Sequence, residues 1–204
     1  MKTYSEYKTA ARGALNGNWG MAALTALIYS AITGATVGFP GLGFFFITLP
    51  LTVGYAGTFR RLVTDGDTKL VDNLFEISIN NYLHQMATMA LRSIYTFLWT
   101  LLLIVPGIIK AMSYAMVPYI LRDRPELSAD ETIDLSIKMM HGHKSELFGL
   151  YLSFAGWFIL SLMTFGIGFF FLAPYVRTTV ADFYEDLKAG IPARAQEQGT
   201  MLVG

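Results

Sequence analysis

The sequence predicts an all-α transmembrane protein of about six TM helices, arranged as three parallel helical-hairpin repeats, each preceded by an amphipathic surface helix. Three observations carry this expectation. Only 15% of the 204 residues are charged and 53% are hydrophobic, against about 25% and roughly 45–50% in soluble domains. The apolar residues gather into three blocks, Trp19–Phe59, Thr88–Leu121 and Leu147–Phe183. Finally, Gly41-Leu42-Gly43-Phe44-Phe45-Phe46 with a proline at 50 returns as Gly166-Ile167-Gly168-Phe169-Phe170-Phe171 with a proline at 174.

A bilayer core takes about 20 helical residues per crossing. The first and third blocks are long enough for two crossings each, and turn residues split them at Gly38–Gly43 and Gly166–Gly168. The middle block divides at Pro106-Gly107 and is shorter. It holds either two thin crossings, with helices starting earlier near Tyr82, or a re-entrant hairpin.

Sliding the chain on itself by 125 positions aligns more than the phenylalanines. Thr3–Glu6 falls on Ser128–Glu131, and both are capping boxes, in which Thr or Ser and a Glu three residues on satisfy the free N–H groups of a helix start. Gly17 falls on Gly142. The organisation read from this is a single polytopic membrane domain over 1–190. It divides into repeat 1 at about 3–63, a degenerate repeat 2 at about 68–121 that contains Asn73-x-x-Glu76 and the Pro106 hairpin, and repeat 3 at about 128–187. A flexible cytoplasmic tail follows over 191–204. An even number of crossings per unit keeps the repeats parallel. The pre-hairpin helix of repeat 1 sets Tyr4, Tyr7, Ala11 and Ala14 on one face. That stripe suits either the membrane surface or the protein's own cytoplasmic parts.

Charge gives the orientation. Of the 15 Lys and Arg, all but Arg92, Lys110 and Arg177 lie in the stretches before, between and after the blocks, and none lies at a hairpin tip. The positive-inside rule then puts both termini in the cytoplasm.

The same inventory narrows the function. Net charge is zero, which gives no basic field for nucleic acid, and cysteine is absent. The N-terminus has the composition of no signal peptide. No nucleophile elbow, phosphate loop or His-Glu-x-x-His pair occurs, so no enzyme activity, cofactor or metal is expected. His141-Gly142-His143 lacks a third ligand at a usable spacing and reads as a helix-terminating turn.

What remains is charge inside the apolar blocks. Lys110 and Arg177 have no Asp or Glu at bilayer depth to pair with; Asp182 is the nearest acid to Arg177, on a poorly matched helical face. Arg92 reads as lying just inside its crossing. Two accounts of the first two cations stand side by side. In one, Arg177, Lys110 and the neighbouring Thr178 bind an anion such as a lipid phosphate; in the other, the cations snorkel to headgroups.

Four ordered motifs, Gly17-Asn18-Trp19-Gly20, Pro106-Gly107-Ile108-Ile109-Lys110, Gly142-His143-Lys144 and Phe183-Tyr184-Glu185-Asp186-Leu187, resemble a family of bacterial integral membrane proteins that is a domain of unknown function. The resemblance runs from about Ser5 to Leu187 and implies a multi-pass protein of the bacterial cytoplasmic (inner) membrane. It implies no activity. The expected function is that of a membrane binding or accessory protein that recognises anionic lipid or another membrane protein. The alternative is a small permease or channel-like transporter for an anionic solute. The expected partners are the bilayer, anionic lipid, another membrane protein or a second copy of the chain.

Overall fold

Thr3 opens the first helix, α1 (Tyr4–Leu15). Its side chain accepts from the Glu6 N–H, and the Glu6 carboxylate accepts from the Thr3 N–H at 2.6 Å. The computed structural model describes residues 2–36, 44–76, 82–102 and 104–190, and all regular structure among them is helical. The Gly38–Gly43 corner and the tail over 191–204 lie outside the described residues.

The apolar stripe of α1 faces the protein. Tyr7, Ala11 and Leu15 are buried, with the Tyr7 ring 5.4 Å from that of Phe183 on the last helix. Tyr4, the outermost member, stays partly exposed. A short turn at Gly17, with φ of 78°, leads into α2 (Trp19–Ala35). The same arrangement stands 125 positions on. Ser128 and Glu131 form the reciprocal cap of α8 (Ala129–Met139), which buries Ile133, Ser136 and Met139, and Gly142 turns the chain with φ of 85°. Both glycines hold a left-handed conformation that a side chain would strain.

After a π-helical turn over Phe44–Thr48, α3 (Leu49–Thr64) runs through the centre of the molecule. Every residue from Val53 to Phe59 on it is buried, because α4 (Leu70–Phe75), α5 (Tyr82–Leu102), α7 (Val117–Asp123) and α11 (Phe169–Gly190) pack around it. Asn73 and Glu76 lie at the end of α4, whose start has no side-chain cap.

Of the two readings of the middle hairpin, the earlier helix start agrees with the structure: α5 begins at Tyr82 and runs for 21 residues, about 31 Å. Its returning leg is broken into α6 (Ile104–Ser113) and α7, with a turn at Tyr114–Met116. The third hairpin is also jointed. Its outgoing leg comprises α9 (Lys144–Leu152) and α10 (Ala155–Met163), and at the joint Lys8 Nζ donates to the Ser153 carbonyl at 2.6 Å. The chain then reverses over Thr164–Gly168 into α11. A β-carbon at Gly168 would sit 2.8 Å from Ser161 Cα, so glycine is what lets α11 close onto α10 at this corner.

Among the described residues, one helical run, Lys144–Met163, is long and apolar enough to cross a membrane, with a mean hydropathy of 1.5; Trp19–Ala35 is apolar but shorter. Only 22% of the most apolar window in the longer run is buried. α10 exposes Trp157, Phe158, Ile159, Leu160, Leu162 and Met163, and α5 exposes Ile94, Phe97, Leu98 and Leu101.

Candidate functional site

One end of the bundle carries a network of ion pairs. Arg60 on α3 bridges Asp123 (2.8 Å) and Glu185 (2.5 Å), and Lys188 reaches the other oxygen of Asp123 at 2.7 Å. Tyr184 donates to that same oxygen at 3.1 Å. Glu76 accepts from both Arg61 and Arg122. Lys2 pairs with Asp182 at 2.7 Å, so the acid nearest Arg177 in sequence is engaged elsewhere. The Arg61 hydrogen bond, with the Arg122 charge, holds Glu76 below the usual carboxylate range. Burial alone would raise Asp123, and the Lys188 hydrogen bond and the Arg60 charge reverse that and keep it low.

The cations singled out from the sequence sit apart from this network. No carboxylate among the described residues lies within salt-bridge distance of Lys110, Arg177 or Arg92. Lys110, on α6, rests 4.8 Å from the Trp99 ring centroid and is partly exposed. Arg177 is on α11, eight residues or about 12 Å beyond its start. Its guanidinium lies over the Tyr55 ring at 5.5 Å. Tyr55 in turn stacks on Tyr29 at 4.3 Å. Thr178 is fully buried, and its hydroxyl donates to the Pro174 carbonyl at 2.8 Å within α11. That bond ties Thr178 to the backbone beside the proline.

Sequence reasoning missed Arg92 as a member of this site. With α5 starting at Tyr82, Arg92 falls at its midpoint, ten residues or about 15 Å from either end, instead of just inside a crossing. There it comes within electrostatic reach of Arg177, Tyr119 and Tyr151. Arg177 is likewise within reach of Tyr29, Tyr55, Tyr119 and Tyr151. Tyr119 on α7 and Tyr151 on α9 therefore lie near both guanidinium groups, and Tyr29 on α2 and Tyr55 on α3 lie near that of Arg177. Tyr29 shares a hydrogen bond with Thr52 at 3.2 Å. The hydroxyls of Tyr55 and Tyr119 are buried and reach hydrogen-bond geometry with no protein group, that of Tyr119 having the Arg177 guanidinium nearby. The only signal of this in the sequence was the position of Arg92 ten residues after Tyr82; the tyrosines are too scattered along the chain to announce a cluster.

A second candidate is an apolar cavity of about 280 Å³ between α2, α10 and α11, lined by Trp19, Trp157, Phe171 and Leu172 with Arg12 beside them. Arg12 is already engaged there, since its Nε donates to the Tyr175 hydroxyl at 2.8 Å. At the His141–His143 turn, His143 Nδ1 lies 2.9 Å from Glu146. No group of three or more His, Asp or Glu that could hold a metal occurs among the described residues.

Residues 101–190 match a family described as a protein of unknown function (DUF975). The match includes Lys110, Arg177 and Thr178 and three of the four motifs; Gly17–Gly20 and Arg92 lie before it. That description names neither an activity nor a membrane. No curated protein and no solved structure matches the chain.

Proposed function

We propose that this chain is a multi-pass membrane protein that binds the anionic headgroup of a membrane lipid at Arg177. The proposal extends to six crossings in three parallel hairpins, with both termini cytoplasmic, and to a role in binding or as an accessory to another membrane protein, with no catalysis. Support for the membrane comes from the exposed aromatic and aliphatic side chains of α5 and α10. Soluble monomers rarely expose a contiguous apolar patch larger than a few hundred Å². The matching capping boxes and glycine turns of α1 and α8 support the duplicated unit.

The observation that carries the binding reading is the state of Arg177. A guanidinium near the middle of a membrane helix costs about 2.5–3.5 kcal/mol to insert and is normally paired. This one faces aromatic rings and has no acid within salt-bridge distance among the described residues. An anion from outside the chain would complete it. Lys110, over Trp99 on the α5–α6 hairpin, fits interfacial anchoring.

The test is purification of the full chain in mild detergent, followed by phospholipid analysis. Wild type retains anionic phospholipid, and Arg177→Gln loses most of it. Unchanged lipid content in Arg177→Gln overturns the reading. If that variant also stops flux of a labelled anion in vesicles, the permease account takes its place. Orientation is tested separately: Ile167→Cys labels from outside intact cells and Asp67→Cys does not, and labelling at the second alone reverses the topology.

A further inference from the structure

Resting on the Arg177 reading, one step further concerns what kind of anion the site takes. Arg92 and Arg177 bring two permanent positive charges together, and no carboxylate of the described residues offsets either. Beside them stand two buried hydroxyls that meet hydrogen-bond geometry with no protein group, the Arg177 guanidinium lying close to that of Tyr119. Tyr55 and Tyr119 are 2% and 1% exposed, and both hydroxyls are unsatisfied. A buried hydroxyl left unpaired is destabilising, and native proteins keep few of them. Here they belong to Tyr55 on α3, whose ring lies under the Arg177 guanidinium, and Tyr119 on α7, within reach of both arginines. Two like charges near one another, with buried hydroxyls beside them that lack full hydrogen bonds, describe a site whose missing component is an anion rich in oxygen.

We infer that Arg92, Arg177, Tyr55 and Tyr119 together form a site for a phosphomonoester dianion. Charge and donor number select that class. A carboxylate carries one charge and two oxygens, which one arginine can satisfy by a bidentate contact. A phosphodiester also carries a single charge and two free oxygens, leaving the second guanidinium uncompensated. A phosphomonoester carries a charge of about −1.5 to −2 at neutral pH and three terminal oxygens. That matches two guanidinium forks and two phenol donors. Access is open from one flank: both arginines are only partly buried, and Tyr151, within reach of both, is 38% exposed on α9. α9 belongs to the Lys144–Met163 run, so a headgroup can arrive sideways from the lipid. A free phosphate has the same chemistry and can reach the site only through water.

The experiment uses the full chain in detergent micelles, titrated with three probes: a diacylglycerol lipid ending in a phosphomonoester, one of equal chain length ending in a phosphoglycerol diester, and inorganic phosphate. The monoester lipid is expected to bind at least about tenfold more tightly than the diester, a gap of the size one lost charged contact produces. Arg92→Gln and, separately, Tyr119→Phe are expected to erase that preference. Competition by millimolar inorganic phosphate identifies a soluble source, and failure to compete identifies the lipid; either agrees with the dianion site. Tyr119→Phe keeps the test sharp if Arg92→Gln does not fold. In the free protein that hydroxyl has the Arg177 guanidinium nearby but meets hydrogen-bond geometry with no group, so its removal is expected to change the ligand-free melting temperature little, whereas loss of a fully bonded structural hydroxyl would lower it. Equal affinity for monoester and diester overturns the inference. So does loss of binding in Arg177→Gln with none in Arg92→Gln or Tyr119→Phe, and that result leaves the Arg177 reading intact. Loss in no variant overturns both.

Discussion

The charged end of the bundle and its interior treat cations in opposite ways. At the charged end, Arg60, Arg61, Arg122, Lys2 and Lys188 each meet a carboxylate, and Arg60 meets two. In the interior, Arg92 and Arg177 meet tyrosines and each other. The chain has 15 acids to match its 15 bases, so supply does not explain the difference. The buried acid Asp182, on the same helix as Arg177, is turned to Lys2 instead. A pair closed within the protein serves the fold. On the proposed reading, a cation left open there is a place for an anion.

Substitutions at the two ends should therefore differ in both size and kind. Arg60→Ala takes from Glu185 its ion-pair partner and leaves Asp123 with Lys188 and Tyr184 alone, and is expected to lower stability by about 2 kcal/mol, read by thermal or denaturant unfolding in detergent. Acidification should act on the same end. Glu76 and Asp123 have folded pKa values held below their ordinary ones. Their contribution is complete above the unfolded value of about 4 and is lost as pH falls through the lower folded value. The melting temperature should therefore drop below about pH 4 in wild type, and the drop should be smaller in Arg61→Ala, where Glu76 loses the partner that depresses it. Next in size, Ser128→Ala removes one half of the α8 cap and should cost about 1 kcal/mol. Smallest is Arg177→Gln without ligand: it gives up the contact with the Tyr55 ring, worth less than about 1 kcal/mol, and sheds an unpaired charge. A loss at Arg177 as large as that at Arg60 would break the comparison.

The sequence disclosed what depends on near neighbours. Thr3 with Glu6 and Ser128 with Glu131 form their caps three residues apart, and the structure contains both. The reversal at Thr164–Gly168 was readable from its glycines. For α1 the stripe was visible but its partner was not, because helical periodicity identifies an apolar face without saying what covers it; here α11 does. The joint at Ser153–Phe154 has neither glycine nor proline to mark it, and Lys8, 145 residues earlier, binds its free carbonyl. The tyrosine cage is hidden for the same reason. Tyr29, Tyr55, Tyr119 and Tyr151 come from four helices and meet only once α3 is surrounded. Arg177 stood out as an isolated charge. Arg92 did not, because its depth depends on where α5 begins, and polar residues such as His84 and Gln85 mask that start.

The most direct measurement is the melting temperature of the full chain in micelles, with and without the phosphomonoester lipid, for wild type and for Arg177→Gln. A ligand at a hundredfold its dissociation constant stabilises the folded state by about 2.7 kcal/mol, so wild type should melt several degrees higher with the lipid and Arg177→Gln should not move. An unmoved wild type at saturating lipid, or an equal rise in both proteins, would contradict the claim that the interior arginines await an anion.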